Sequence, residues 1–448
     1  MITLATQNES IDSILQKIQA ARSKDDDVSV RVRPILEAVR DRGDAALREF
    51  TERWDGVWLD SFSVTPEEIK LAYTQISLSV LESLKEAKNA IELFHKTHVR
   101  LNEEPVETRP GVKVWREFRS IERVGLYVPG GTASYPSTVL MTAVPAQIAG
   151  CTRMVICTPA NREGLCNPAV LVAADLCGVS EIYKVGGAQA IAAMAYGTET
   201  VPKVYKIFGP GNQYVATAKI MVFGDVAIDQ PAGPSEVAVI ADESANPEWI
   251  AADLLSQLEH GGDSQALLLS TSEGFVQKVE EFMRRQMESL SRKIIIEESF
   301  ARSFAVVVKS MDEAIELING YAPEHLEIVV EQGEAGILSR IVNAGSIFLG
   351  PYSSEPLGDY ATGSNHTIPT SGGAKMFSAL STESFGKMVQ IQKVSLEGIQ
   401  SLRKTVETLA YCEGLDAHAR AVTVRFESLS EPSFETPPAQ GGHVPSSF

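Results

Sequence analysis

Val124-Gly125-Leu126-Tyr127-Val128-Pro129-Gly130-Gly131 is a short apolar run closed by a proline–glycine turn. A run of this length, bounded by turn residues, reads as a buried strand. The helical stretch Ser137 to Ala149 follows it. Strand, glycine-rich turn and helix then recur. Met154 to Cys157, Ile182 to Val185, Val204 to Phe208 and Val226 to Asp229 read as strands, with helical stretches Ala169 to Cys177, Ala188 to Tyr196 and Tyr214 to Val222 between them. That repetition is the signature of a parallel sheet with helices on its faces. A second set follows at Glu236 to Ile240, Ala266 to Leu269, Ile294 to Ile296, Ala305 to Val308, Leu326 to Val330 and Ser346 to Leu349. The fold class is α/β with two sheet-bearing units.

Upstream, Ile11 to Ala21, Val30 to Trp54 and Pro66 to His98 carry apolar residues at three- and four-residue spacing and read as helices. Downstream of Ser378, one strand-like run (Met388 to Val394) and two helices (Leu396 to Tyr411, Asp416 to Leu429) are too little to enclose a core. This segment is expected to pack on something else. Residues 431–448 are rich in proline, serine and glycine and read as a disordered tail.

The chain has 448 residues, 44% of them apolar, and a formal net charge of -18 from 58 acidic and 40 basic side chains. This balance argues against nucleic acid and anionic membranes as partners. No apolar run approaches the ~18 residues that a membrane span needs. Met1 to Ser10 is polar and reads as no signal peptide. The five cysteines, Cys151, Cys157, Cys166, Cys177 and Cys412, show no C-x-x-C spacing. Buried free thiols in a reducing cytoplasm are expected.

Chemistry concentrates in a few segments. Asn246-Pro247 reads as a helix start and Gly261-Gly262 as its stop, with Ser256-Gln257-Leu258-Glu259-His260 on the last turn. Gln257 and His260 are three apart and share a face, which makes half a metal site. His95 and His98 are also three apart, but no carboxylates accompany them, and they read as a solvent-facing pair. Glu324-His325 sets a carboxylic acid beside an imidazole at a strand entrance, a pairing suited to proton transfer. A charged helix-to-strand connection would look the same. Gly358 to Thr370 reads as a long loop, carrying Asp359 as a hard oxygen ligand and His366. Glu413 to His418 lies in the segment that lacks a core. Gly209-Pro210-Gly211-Asn212 follows a strand but lacks the third glycine of a dinucleotide fingerprint. Its turn, Pro129-Gly130-Gly131 and Gly186-Gly187-Ala188-Gln189 all fall at carboxyl ends of strands, where open α/β sheets bind ligands. Tight packing would also select glycine there, so the turns leave cofactor binding open.

Together these segments resemble the histidinol dehydrogenase family nearly end to end. The likeness rests on Val124 to Gly131, Val185-Gly-Gly-Ala-Gln-Ala190, Ile207-Phe-Gly-Pro-Gly-Asn212, Pro231 to Val237, Leu255 to His260, Pro323-Glu-His-Leu326, Gly358 to Thr370 and Glu413 to His418. The first 25 residues and the tail after about Leu429 share none of it. The resemblance implies two Rossmann-like parallel-sheet domains with N-terminal helices and a small helical C-terminal extension. It divides the chain into an N-terminal helical arm (1–25), a discontinuous first α/β domain (26–123 and 236–377), a second, NAD-contacting domain (124–235), a C-terminal extension exchanged in a homodimer (378–430) and the tail.

It further implies NAD-dependent oxidation of L-histidinol to L-histidine by way of the aldehyde, the last steps of histidine biosynthesis, with one Zn2+ per subunit and two NAD+ per substrate. The metal ligands would be Gln257, His260, Asp359 and His418. His325 would take the alcohol proton, and Glu324 would activate the water that hydrates the aldehyde. Ser235, His366 and Glu413 would contact substrate together with the metal ligands and His325, and Tyr127, Gln189 and Asn212 would contact NAD. Glu413 and His418 would serve the partner's site. Three other chemistries remain open to the sequence: a related dehydrogenase of another amino or sulfonated alcohol, a zinc hydrolase using Glu324, and a catalytic cysteine, for which no thiol has a base beside it.

Overall fold

The computed structural model describes residues 1–22, 27–100, 102–130, 134–231 and 233–430. The tail at 431–448, with Gly131 and Ala232 of the quoted motifs, lies outside the described residues. The chain forms two units, residues 1–100 with 120–387, and 101–119 with the chain from 388 onward.

In chain order the strands are β1 (Ile2–Ala5), β2 (Val106–Arg109), β3 (Val112–Ser120), β4 (Arg123–Tyr127), β5 (Arg153–Thr158), β6 (Glu181–Lys184), β7 (Lys206–Phe208), β8 (Ala227–Ile228), β9 (Glu236–Ala241), β10 (Gln265–Ser270), β11 (Phe304–Val307), β12 (His325–Val329), β13 (Ser346–Leu349) and β14 (Gly386–Val394). The first unit holds two sheets, β6-β5-β4-β7-β8 and β1-β11-β10-β9-β12-β13. Every pairing in both is parallel. Helices cover both faces, which is why β9 and β10 are buried at every position and read as continuous apolar runs without alternation. The α/β reading with two parallel sheets holds.

Both sheets have one topology. Counting strands within each, the order is 3-2-1-4-5, with β1 added beyond the third strand of the second sheet. The chain reverses direction across each sheet beside its first strand, between β4 and β7 and between β9 and β12.

Several local readings are corrected. Ile294 to Ile296 is not a strand but part of the helix Lys293–Phe300. Three consecutive isoleucines favour a strand locally, yet only Ile296 reaches the core while Ile294 is exposed. Val30 to Trp54 is two helices, Ser29–Arg42 and Asp44–Asp55, broken at Gly43 with φ 51°. Pro66 to His98 is likewise Pro66–Gln75 and Leu78–Lys96, the second capped by Ser77. The N-terminal arm opens with a strand: β1 pairs with β11 from Ile2 to Ala5. The strands β2 and β3 lie outside the segments that read as strands in the sequence.

The second unit carries the sheet β14-β3-β2, with β2 antiparallel to β3, and two helices, Leu396–Cys412 and Asp416–Ser430, packed on each other. Among its described residues only Val112, Ala410 and Ala419 are buried apolar side chains, while Val106, Val389, Leu396, Leu409, Tyr411 and Leu415 are exposed.

Candidate active site

The helix Pro247–Leu258 begins as its sequence requires. The Asn246 side chain accepts from the Glu248 N–H, and Pro247 takes the first turn, where its missing N–H costs nothing. It ends two residues earlier than read, at Leu258, with Glu259 as cap. His260 therefore sits just past the helix, kept close by its N–H to the Gln257 carbonyl at 3.3 Å. Gln257 is 1% exposed on the last turn.

These two residues line a cavity of about 580 Å³ between the two sheets of the first unit. The carboxyl ends of β4 and β7 give one wall, through Tyr127, Pro129, Gly130 and Gly209 to Asn212. The other wall comes from the amino ends of β9, β10 and β12, through Ser235, Ser264, Glu324 and His325. Asp359 and His366 close it. Nine of the expected residues thus line one cavity: Tyr127, Asn212, Ser235, Gln257, His260, Glu324, His325, Asp359 and His366.

Glu324 and His325 are both buried. The His325 Nε2 lies 3.8 Å from Glu324 Oε1 and 3.6 Å from Glu355 Oε1. Burial lowers the His325 pKa to about 4 against the opposing pull of Asp359, so the imidazole is neutral at neutral pH. Burial, helped by the nearby carboxyls of Glu236, Asp359 and Glu355, drives Glu324 well above the ordinary carboxyl range. The Glu236 N–H, 2.8 Å from Glu324 Oε2, works the other way. Gln257 Nε2 approaches the same oxygen at 3.5 Å. Oε2 is thereby anchored, and Oε1 faces the imidazole.

Gln257 Oε1 and Asp359 Oδ1 are buried acceptors that no donor reaches. Such atoms are costly unless something satisfies them, and a cation is a partner that either oxygen could accept. His260, with its pKa lowered by burial, adds a neutral ring nitrogen beside Asp359. This donor set fits a zinc ion. Asp359 also groups with His325 and Glu355, whose ligand-type atoms all lie within 4.8 Å of one another. Burial and the neighbouring Asp359 carboxyl push Glu355 up to about 9. His366 is fixed by Thr138 Oγ1 at 3.2 Å on Nε2 and by the Asp359 carbonyl at 3.2 Å on Nδ1.

On the other wall, the Gly187 N–H donates to the Tyr127 hydroxyl at 3.0 Å, which leaves the hydroxyl proton free. The Asn212 Oδ1 caps the helix Gln213–Val222, which leaves its amide protons free. Gln189 is buried at the start of the helix Gly187–Tyr196, its Oε1 unpartnered, and is not among the cavity-lining residues. Gly209 has φ +116°, and a Cβ there would stand 2.1 Å from the Tyr127 carbonyl oxygen, so only glycine fits the turn.

Other expected residues lie elsewhere. Glu413, capping the helix Leu396–Cys412, and His418, on the first turn of Asp416–Ser430, belong to the second unit and are exposed. His95 is not solvent-facing but fully buried, its ring against the Asn365 amide at 3.4 Å. The segment 358–370 is not an open loop: Gly358 to Tyr360 finish a short helix, and Thr367 to Thr370 are buried. Four thiols are buried as expected, with pKa values raised by burial; Cys412 is exposed. No cysteine lines the cavity.

The sequence reading missed Glu355, Glu236 and Arg22. A signal existed for Glu355: it stands four residues before Asp359 in Glu355-Pro-Leu-Gly-Asp359, on one helix face.

The histidinol dehydrogenase family model matches residues 18–426. The histidinol dehydrogenase of Bacteroides thetaiotaomicron is 52% identical over 399 residues, covering 89% of this chain and 93% of that protein. That of Methanothermobacter thermautotrophicus is 49% identical, covering 91% and 96%. The crystal structure of histidinol dehydrogenase from Elizabethkingia anophelis superposes with a TM-score of 0.91 at 44% identity, covering 96% of this chain and 99% of that one. A family match across nearly the whole chain, joined to a cavity that gathers acid, imidazole and unsatisfied oxygen donors, places this oxidoreductase in the histidinol dehydrogenase family.

Proposed function

We propose that the chain oxidises L-histidinol to L-histidine through L-histidinaldehyde, a four-electron reaction that consumes two NAD+ and uses one Zn2+ per subunit. The observation that carries this reading is the pairing of neutral, buried His325 with Glu324 beside two unsatisfied buried oxygen donors.

Gln257, His260 and Asp359 would hold the zinc, with His418 of the partner subunit as the fourth ligand; the ion would supply a fixed point that orients the substrate. NAD+ is the two-electron acceptor, and Tyr127, Gln189 and Asn212 would contact it. Substrate would lie among Ser235, His366 and the metal ligands, with the partner subunit's Glu413. His325 takes the hydroxyl proton in the first oxidation. Glu324 takes a proton from water as it adds to the aldehyde, and the resulting diol is oxidised in the second step. The overall balance is one alcohol, one water and two NAD+ giving one carboxylate, two NADH and three protons.

A homodimer with exchanged C-terminal segments is supported by the second unit itself. Its three buried apolar side chains cannot stabilise it alone, and its exposed ones need cover. The four buried free thiols suit the cytoplasm. Among the described residues, no helix is long and apolar enough to cross a membrane. Cysteine chemistry is disfavoured because burial keeps those thiols protonated. The deciding experiment counts NADH by absorbance at 340 nm: two per L-histidinol is expected, and one or none would refute the reading.

A further inference from the structure

We propose that Arg22, brought in by the N-terminal helix, is a positioning residue for the Glu324 carboxyl and so for the second oxidation. The inference rests on the reading of Glu324 as the group that activates water.

The helix Ile11–Arg22 buries Ile14 and Ile18 against the second sheet and packs beside the helix Met311–Tyr321. Its last residue reaches the cavity wall with its side chain only 10% exposed. The guanidinium has two partners. Nη2 donates to Glu236 Oε2 at 2.9 Å and Nε stands 2.8 Å from Oε1 as an ion-pair contact without hydrogen-bond geometry, Nη1 donates to the Tyr321 carbonyl at 2.9 Å, and the group lies 3.5 Å from the Tyr321 ring centroid. A planar fork that pairs both carboxylate oxygens while stacking on an aromatic ring is chemistry that arginine performs and lysine does not.

Glu236 is the buried hub. It is 1% exposed and opens β9. Its N–H holds Glu324 Oε2, while its own carboxylate faces the backbone N–H groups of Glu324 and Ser371. The starts of β9 and β12 are thus tied to each other through two carboxyls, and Arg22 neutralises the one that lies outside the reaction. Removing Arg22 leaves Glu236 buried and unpaired, a state that proteins relieve by moving or neutralising the group. Either response disturbs the N–H that fixes Glu324. The His325 ring has no hydrogen bond to Arg22 or Glu236; its nearest partners are Glu324 and Glu355. The loss should therefore fall on the water-activating step.

The test compares Arg22→Met, Arg22→Lys, Glu236→Gln and Glu324→Gln in the full-length enzyme, measuring L-histidinol oxidation and L-histidinaldehyde oxidation separately. Arg22→Met should lower kcat for the aldehyde by ~10–100-fold, the cost of a misplaced catalytic group. It should affect the alcohol step at least several-fold less and leave KM for the aldehyde near its original value. Arg22→Lys should recover part of the loss, and Glu236→Gln should share the step preference. Should Arg22→Met fail to fold, the latter two carry the comparison. Equal slowing of both steps, or of neither, overturns the inference. Glu324→Gln separates the two levels: if it is step-selective and the Arg22 variants are not, only the inference falls; if it slows both steps equally, the reading of Glu324 falls and takes the inference with it.

Discussion

The two sheets of the first unit share one strand order yet meet the cavity with opposite ends. The first offers the carboxyl ends of β4 and β7 and their glycine turns; the second offers the amino ends of β9, β10 and β12 with their acids and imidazole. The difference follows from where helices begin and end. Helices leave a parallel sheet at its carboxyl edge, so the first sheet turns the starts of the helices Pro136–Ala149 and Gln213–Val222 toward the cavity, the second with the Tyr214 and Val215 N–H groups held by Asn212. That wall suits an anion such as a pyrophosphate. Helices return to a sheet at its amino edge, so the second turns helix ends toward the site, Gln257 on one and Tyr321 on another. Those carbonyl-rich ends favour cations, and Tyr321 already holds Arg22. One topology used from both ends gives a cavity with one wall suited to anions and one suited to cations.

The comparison can be broken most severely at the second wall. His325→Ala should lower kcat for L-histidinol by ~10²–10⁴-fold, as loss of a general base does, with bound metal retained. Steady-state NADH production and metal analysis check it, and full activity would remove His325 from the proton path. His260→Ala should lose stoichiometric zinc, measured by elemental analysis after dialysis; a variant with full metal content would transfer the assignment toward the His325, Glu355 and Asp359 group. Mixing inactive His325 and His418 variants should restore part of the activity if the second unit serves its partner, and no recovery would place the whole site within one chain.

The first wall should respond differently. Gly209→Ala puts a methyl group 2.1 Å from the Tyr127 carbonyl at a backbone angle that alanine resists. The turn is also held by its N–H to Asp229 at 2.8 Å and by Lys219 Nζ on its carbonyl at 2.9 Å, so it cannot simply move away. An increase of about tenfold in KM for NAD+ is expected, equivalent to about 1.4 kcal/mol, with zinc content and KM for L-histidinol little changed. A rise in KM for L-histidinol alone would contradict the division between walls.

The contrast also explains what the sequence made legible. The parallel sheets were readable because strands covered on both faces become unbroken apolar runs, as in β9 and β10. Gln257, His260, Glu324 and His325 were readable because helix caps and a strand entrance punctuate them. Arg22 left no local mark: its partner Glu236 is 214 positions away, and a lone arginine at a helix end looks like ordinary surface. β1 was hidden in the same way, since four residues carry too little periodicity to declare a strand, and its pairing with β11 is decided some 300 residues later. Ile294 to Ile296 failed for the converse reason: local preference pointed to a strand and tertiary packing chose a helix.

The smallest expected effect concerns His95, where the element bearing the ligands is tied to the first sheet. Asn365, next to His366, donates to the Met141 carbonyl at 2.6 Å and faces His95 Nε2 at 3.4 Å. An amide donor on Nε2 needs that nitrogen unprotonated, which assigns the remaining proton to Nδ1. Burial, assisted by His98, lowers the His95 pKa from 6.5 to about 4. The folded state therefore refuses a proton that the unfolded chain accepts. This contribution is fully present above pH 6.5 and is lost progressively as pH falls from 6.5 to 4, with a slope of at most about 1.4 kcal/mol per pH unit. His95→Gln cannot titrate, so its stability should depend less steeply on pH in that window, as chemical denaturation at several pH values would reveal. Because His95 is remote from the proton chemistry at the second wall, the variant should keep the pH profile of kcat. A shifted kcat profile with an unchanged stability slope would mean that the imidazole acts on the site and not on the fold.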